Sequence, residues 1–199
     1  MANMPCIMRE TAQGAYRIAL EDEQFARREI ELLGTISRPA AMDIIRQLRC
    51  LAEQDADAPI RLLINSGGGE VIAGLAIYDT IQALSCDVET VCVGEASSMA
   101  AIIFAGGAKG KRAILPNSVV LIHDPIMMDA SGPALTVEAL TKRLMDMRIQ
   151  IAEIISKHTG KSVEEVLAKT SKDTYFSARE AVDFGLADRI IAGRDTHAA

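Results

Sequence analysis

Tryptophan is absent from the 199-residue sequence, and aromatic residues make up only 4% of it. With 49% of residues hydrophobic, a core must be built from aliphatic side chains. No run reaches the roughly 18 apolar residues that a membrane-spanning helix needs. The opening MANMPCIMRETAQG holds no apolar segment of the signal-peptide kind, so a cytoplasmic protein is expected. Positive charge is scarce too: 21 Lys and Arg against 27 Asp and Glu leave a formal net charge of -6. Without a basic patch, nucleic acid and anionic membrane surfaces are excluded as partners. The four cysteines, Cys6, Cys50, Cys86 and Cys92, have no metal-ligand spacing, and a chain of this length does not depend on disulfide staples. They are expected as reduced, mostly buried thiols. A phosphate-binding GxxxxGK[ST] loop is missing as well, since Gly110-Lys111-Arg112 lacks both the earlier glycine and the following Ser or Thr. No repeat, linker or low-complexity stretch divides the chain, which is read as one domain over residues 1–199.

What is present centres on residues 88–116, VETVCVGEASSMAAIIFAGGAKGKRAILP. An apolar strand (Val88, Val91, Val93) turns at Gly94, Glu95 and Ala96 and reaches Ser97 and Ser98. The small apolar run Met99 to Ala105 then predicts a buried helix stopped by Gly106 and Gly107. A serine at a strand-to-helix turn can simply cap the helix. It can also be a nucleophile, because the first helix amides have no internal partner and can bind the oxyanion formed when a hydroxyl attacks a carbonyl.

In chain order, residues 1–24 show no period and read as an arm or loop with short strands. Glu29 to Gly34 alternates like a strand. Ser37 and Pro39 open a helix with Met42, Ile45, Leu48 and Leu51 on one face, ended by Asp55 to Pro59. Ile60 to Ile64 is a short strand, followed by a glycine turn, NSGGG at 65–69, and a helix with Val71, Leu75, Tyr78 and Ile81 inward. Val119 to Ile122 is another buried strand. A long amphipathic helix carries Leu140, Leu144, Met147, Ile151 and Ile154 on one face, suited to a core or a subunit interface. Ser162 to Glu165 and Ser177 to Glu180 are two capping boxes, and Gly185 ends the second helix. Strand-then-helix units with wholly apolar strands predict an α/β fold with a largely parallel sheet.

A hydroxyl nucleophile needs a base and a group that orients the base. Of the three histidines, His158 lies at a helix end, where a cap or dipole role is expected, and His197 sits in a polar tail. His123, just past a buried strand, is the candidate base. For the orienting carboxylate, Asp124 and Asp173 both remain open: a neighbour in an extended chain points away from His123, while the loop holding Asp173 has freedom to reach it.

The segments INSGGGEVIAGLAIYDTIQAL, VGEASSMAAIIFAGGAKGKRAILPNSVVLIHDP and HTGKSVEEVLAKTSKDTYFSAREAVDFGLADRI resemble the proteolytic subunits of Clp proteases, ClpP, over about residues 5–191. The resemblance implies a ClpP/crotonase-like α/β fold of repeated strand-strand-helix units with a protruding handle helix. It implies a serine endopeptidase in which Ser98 is the nucleophile, His123 the base and Asp173 the orienting carboxylate. The amides of Gly69 and Met99 would form the oxyanion hole. It further implies an N-terminal axial segment over 1–24, a handle over about 125–160 and a polar tail over 192–199. Two stacked heptamers would enclose the sites, and an AAA+ unfoldase of the ClpX, ClpA or ClpC type would use ATP to feed in unfolded proteins. The peptidase itself would need no metal and no nucleotide.

The sequence departs from the family pattern at several positions. Met127 and Met128 replace glycines beside the substrate strand, Asp124 replaces a glutamine, and Gly67 a proline. Arg61 and Leu63 stand at tyrosine positions of the unfoldase-docking pocket, and Lys172 replaces an arginine of the ring contact. These changes suggest a divergent paralog working in a mixed ring with another ClpP. The alternatives are a catalytically weak or silent structural subunit, and a crotonase-type acyl-CoA enzyme.

Overall fold

The computed structural model describes residues 6–11, 14–127 and 131–191; Met128, His197 and the 192–199 tail lie outside the described residues. The N-terminal arm is more regular than expected. It forms a hairpin of β1 (Cys6–Thr11) and β2 (Gly14–Ala19), then a helix, α1 (Leu20–Ala26). The sequence signalled neither: β2 is exposed along nearly its whole length, and α1 spans under two turns with no side-chain cap. One buried carboxylate holds the arm, as Glu23 accepts from Arg9 of β1 at 2.6 and 2.8 Å and from Arg27 at 2.9 and 3.1 Å. Those guanidinium groups keep its pKa below the ordinary carboxylate value.

The main sheet begins with three parallel strands, β3 (Glu29–Ile36), β4 (Ile60–Gly69) and β5 (Val88–Ser97). They are linked by α2 (Arg38–Gln54) and α3 (Val71–Ala83). Ile60, Leu62 and Ile64 are fully buried, as a strand covered by helices requires. Ser37 caps α2 by accepting from the Ala40 amide, but the buried face is Ala41, Ile44, Leu48 and Leu51. Met42, expected inside, is exposed, and Ile45 is only partly buried. The apolar stripe is therefore set one residue earlier in its first two turns than the larger side chains suggested.

Beyond β5 the sheet forks. The early part of β5 pairs with β6 (Arg112–Ile114), which continues to β9 (Arg189–Ile190). Its last residues pair in parallel with β7 (Val119–Ile122), and β7 pairs antiparallel with β8 (Thr174–Ser177). The strand β7 is half-open: Val120 and Ile122 are buried, whereas Val119 is exposed. Every residue of α4 (Met99–Ala105) is buried. Gly74 lets α3 lie against it, since a Cβ there would come 2.8 Å from Met99 Cε.

The long helix α5 (Ala134–Thr159) packs on the core through Ile151, Ala152 and Ile155, while Leu135, Met145 and Ile149 on its earlier turns are exposed. Both expected capping boxes are present, opening α6 (Val163–Thr170) and α7 (Ala178–Phe184), and Gly185 ends α7 at φ +94°. All four cysteines are free; Cys86 and Cys92 are buried, but Cys6 and Cys50 are exposed, correcting the expectation of mostly buried thiols.

His158 is not the helix-dipole cation expected of it. Its Nε2 lies 2.8 Å from the Tyr78 hydroxyl, and burial, with Lys157 and Arg112 nearby, pushes its pKa down to about 4. The ring is therefore neutral beside Arg112, which is buried, paired with Asp188 at 2.6 Å and donating to the His158 carbonyl. A folded-state pKa below the free value of 6.5 means that this contribution to stability is complete above pH 6.5 and is lost as pH falls to about 4. For a half-buried ring the loss is about 1–2 kcal/mol. Urea midpoints of native protein and His158→Gln at pH 7 and pH 4 check this: their difference is expected to shrink on acidification, and a constant difference would contradict neutral burial.

Candidate active site

The site lies where β4, β5 and β7 end. The expected glycine turn at 65–69 is not a separate loop, because β4 runs through it, pairing Thr35 with Gly68 and Ile36 with Gly69. Likewise β5 does not turn at Gly94 to Ala96. Gly94, at φ +92°, lies within a register shift between the Ile64–Cys92 and Ser66–Ala96 pairs, and the strand continues to Ser97. The reversal falls on Ser98, with φ 55° and ψ −124°. Such a conformation costs a non-glycine residue about 1–3 kcal/mol and persists only when its surroundings enforce it.

Here they do. The Ser98 amide donates to the Leu121 carbonyl of β7 at 2.9 Å, and the Ser98 carbonyl accepts from the Ala101 amide at 3.0 Å. Gly68, at φ +91°, lies directly on the elbow: a Cβ there would be 2.6 Å from the Ser97 carbonyl, 2.7 Å from Ser98 Cβ and 3.1 Å from the Met99 nitrogen. The end of β4 and the start of α4 are thus pressed together, with Gly69 next along β4. A Cβ on Gly69 would overlap the Ile36 carbonyl. Met99 supplies the first amide of α4, which has no partner within its own helix.

Two serines were candidates, and their hydroxyls differ. Ser97 is buried and contacts Glu95 at 3.2 Å. Ser98 occupies the N-cap position but makes no capping hydrogen bond, so the reading of this serine as a simple helix cap does not hold.

His123 follows the last residue of β7. Because β7 lies parallel to the end of β5, with Ser97 opposite Leu121, Ser98 and His123 leave adjacent strand ends. Both line one small recess with Val71, Met99, Ile102, Ile122, Pro125 and Ile151. Asp173 precedes β8, and the Ile122–Thr174 pairing, continued by one step, sets it across from His123. Asp173 is exposed and does not line the recess. Among the described residues no hydrogen bond joins the side chains of Ser98, His123 and Asp173; catalytic hydrogen bonds are commonly long before substrate arrives.

Asp124, the other candidate carboxylate, is directed elsewhere. Its amide donates to the Thr170 carbonyl at 2.7 Å and its Oδ2 accepts from Arg148 Nε of α5 at 2.6 Å, while Oδ1 is buried without a partner. Arg148 was invisible to sequence reasoning, since nothing local marks an arginine on a long helix as the partner of a strand-end aspartate. Volume does not mark the site either. A larger recess of about 370 Å³ between α1, β3 and α2 is lined by Glu21, Glu29, Glu31 and Asp43 and contains neither serine nor histidine. Among the described residues no group of three or more His, Cys, Asp or Glu could hold a metal ion. Nor is any described helix long and apolar enough to cross a membrane.

A hydroxyl on a strained elbow, beside a histidine and at the start of a helix, is an arrangement suited to acyl transfer. A family model described as Clp protease matches residues 12–194. The chain is also 40% identical over 191 residues to "ATP-dependent Clp protease proteolytic subunit 1" of Thermobifida fusca (strain YX), a match spanning 96% of this chain and 86% of that protein. The fold and the match together define a peptidase of the α/β type. The chain belongs to the Clp protease family.

Proposed function

We propose that this chain is the proteolytic subunit of an ATP-dependent Clp protease and hydrolyses unfolded polypeptides through a Ser98–His123–Asp173 triad. The observation that carries the reading is the Ser98 elbow, with a hydroxyl that caps nothing and that shares a recess with His123. His123 takes the Ser98 proton as the hydroxyl attacks the peptide carbonyl, and then delivers it to the leaving amine. Water hydrolyses the acyl-enzyme by the same route. Asp173 stabilises the imidazolium from the neighbouring strand end. The amides of Gly69 and Met99 hold the oxyanion, a contribution of about 3 kcal/mol per donor in comparable sites. No metal or nucleotide enters these steps; ATP is consumed by a partner AAA+ unfoldase.

The reading places the chain in two stacked heptamers in the cytoplasm; the exposed Leu135, Met145 and Ile149 of α5 are apolar residues that a contact between subunits would cover. Docking of the unfoldase would meet a charged surface, because exposed Arg61 pairs with Glu29 at 2.9 Å and Glu89 at 3.6 Å. One observation favours a second reading, a weak or silent subunit in a mixed ring: Asp173 is exposed and does not line the recess that Ser98 and His123 share. A crotonase-type acyl-CoA enzyme would share the glycine-built anion site but has no use for all three triad residues.

Hydrolysis of fluorogenic peptides by the purified chain, alone and mixed with a second Clp peptidase subunit, decides among these. Turnover that needs Ser98 is expected from this chain. If all turnover in the mixture came from the other subunit, the silent-subunit reading would replace it.

A further inference from the structure

We infer that Arg148 is a positioning residue for the base: by holding the Asp124 carboxylate it fixes the backbone that carries His123. The inference rests on His123 acting as the base toward Ser98. β7 ends at Ile122, whose pairing with Thr174 is the last ladder contact before His123. One residue further on, Asp124 is tied twice. Its amide donates to the carbonyl of Thr170, the last residue of α6, at 2.7 Å, and its Oδ2 accepts from Arg148 Nε of α5 at 2.6 Å. Pro125 follows, its φ fixed by the ring. The base thus sits between a strand end and an anchor in the helix layer. Arg148 lies about one turn before Ile151, which lines the recess with His123 and Ser98.

The carboxylate depends on the arginine. Its Oδ1 is buried and has no hydrogen-bond partner among the described residues, so Oδ2 alone carries the tether. With the Arg148 and Asp124 side chains 24% and 31% exposed, the contact is a charge-assisted hydrogen bond partly screened from water. Such a pair adds little net stability over an apolar replacement, but removing one partner leaves a poorly solvated charge behind. Without Arg148 the carboxylate has to turn toward water, and the backbone it pulls on is one residue from the imidazole. A reacting group displaced by about 1 Å can lose a hundredfold in rate. The arginine also offsets a negative charge next to the base. Lys142 and Asp146, paired at 3.1 Å on the same helix, provide the contrast, since both are exposed and water already solvates them.

The test uses the full-length assembled protein and steady-state kinetics on a short peptide, with thermal midpoints measured alongside. Arg148→Ala is expected to lower kcat by roughly 10- to 100-fold with KM changed less than about threefold. Arg148→Lys, which keeps the charge but not the planar Nε donor, should recover part of the loss. Asp124→Ala should show the same split, and the double variant should cost little beyond either change alone, because one contact is broken in all three. Lys142→Ala should leave kcat within about twofold of native. If Arg148→Ala fails to fold, Arg148→Lys and Asp124→Asn report on the same contact. Native kcat in Arg148→Ala while His123→Ala is inactive would overturn the inference and leave the serine mechanism standing. A rise in KM in place of a fall in kcat, or additive losses in the double variant, would overturn it too. Native activity in His123→Ala would overturn both the inference and the mechanism.

Discussion

Gly68→Ala is expected to lower peptidase activity by at least about a hundredfold while Gly67→Ala, one residue away, leaves it nearly unchanged. The contrast follows from what each new methyl would meet. At Gly67 the nearest atom is Glu95 Oε1 at 3.6 Å, an ordinary contact with the end of a flexible side chain. At Gly68 the methyl would fall 2.6 Å from a backbone carbonyl and 2.7 Å from Ser98 Cβ, at a φ of +91° that an L-residue rarely adopts. Something must shift, and the nearest atoms all belong to the Ser97–Ser98–Met99 elbow. A displacement of about 1 Å at a reacting group can cost a hundredfold in rate, and the imposed φ adds about 1–3 kcal/mol of strain. Measuring kcat/KM with a short peptide, together with thermal midpoints, checks both: Gly68→Ala should lose rate and stability, Gly67→Ala neither. Equal activity in the two variants would mean that the β4 end does not shape the elbow.

His123→Ala is expected to lower kcat by about 10⁴-fold or more with little change in KM, because the base acts in the transition state and not in ground-state binding. Asp173→Asn should lose less. Asp173 is exposed and lies outside the recess, whereas His123 lines it with Ser98. Combining His123→Ala with Ser98→Ala should cost little beyond either change alone, since the two act as a unit. Steady-state kinetics on a peptide panel reads all of this. Additive losses in the double variant would indicate that Ser98 and His123 serve separate steps.

Features written in neighbouring residues are legible in the sequence alone. Met99 to Ala105 between two serines and two glycines predicts a buried helix, and the helix begins and ends where those residues place it. The two capping boxes are visible because Ser and Glu three positions apart satisfy each other's backbone amides. Features decided across the fold are hidden. Glycines in NSGGG suggest a turn, yet ladder pairing with β3 and β5 carries β4 through them. His158 looks like a helix-end cation until Tyr78, 80 residues away, is found against it.

At the site, the strand-end positions of Ser98 and His123 are legible from pattern, while the choice of Asp173 over Asp124 is not. Pattern cannot decide it because Arg148, which claims the Asp124 carboxylate, comes from another helix.

The most direct measurement is mass mapping after treatment with a fluorophosphonate. A single adduct on Ser98, slowed in His123→Ala and missing from Ser98→Ala, is expected if the uncapped hydroxyl at the α4 start is the nucleophile. An adduct of equal yield in Ser98→Ala, or one mapped to another residue, would contradict it.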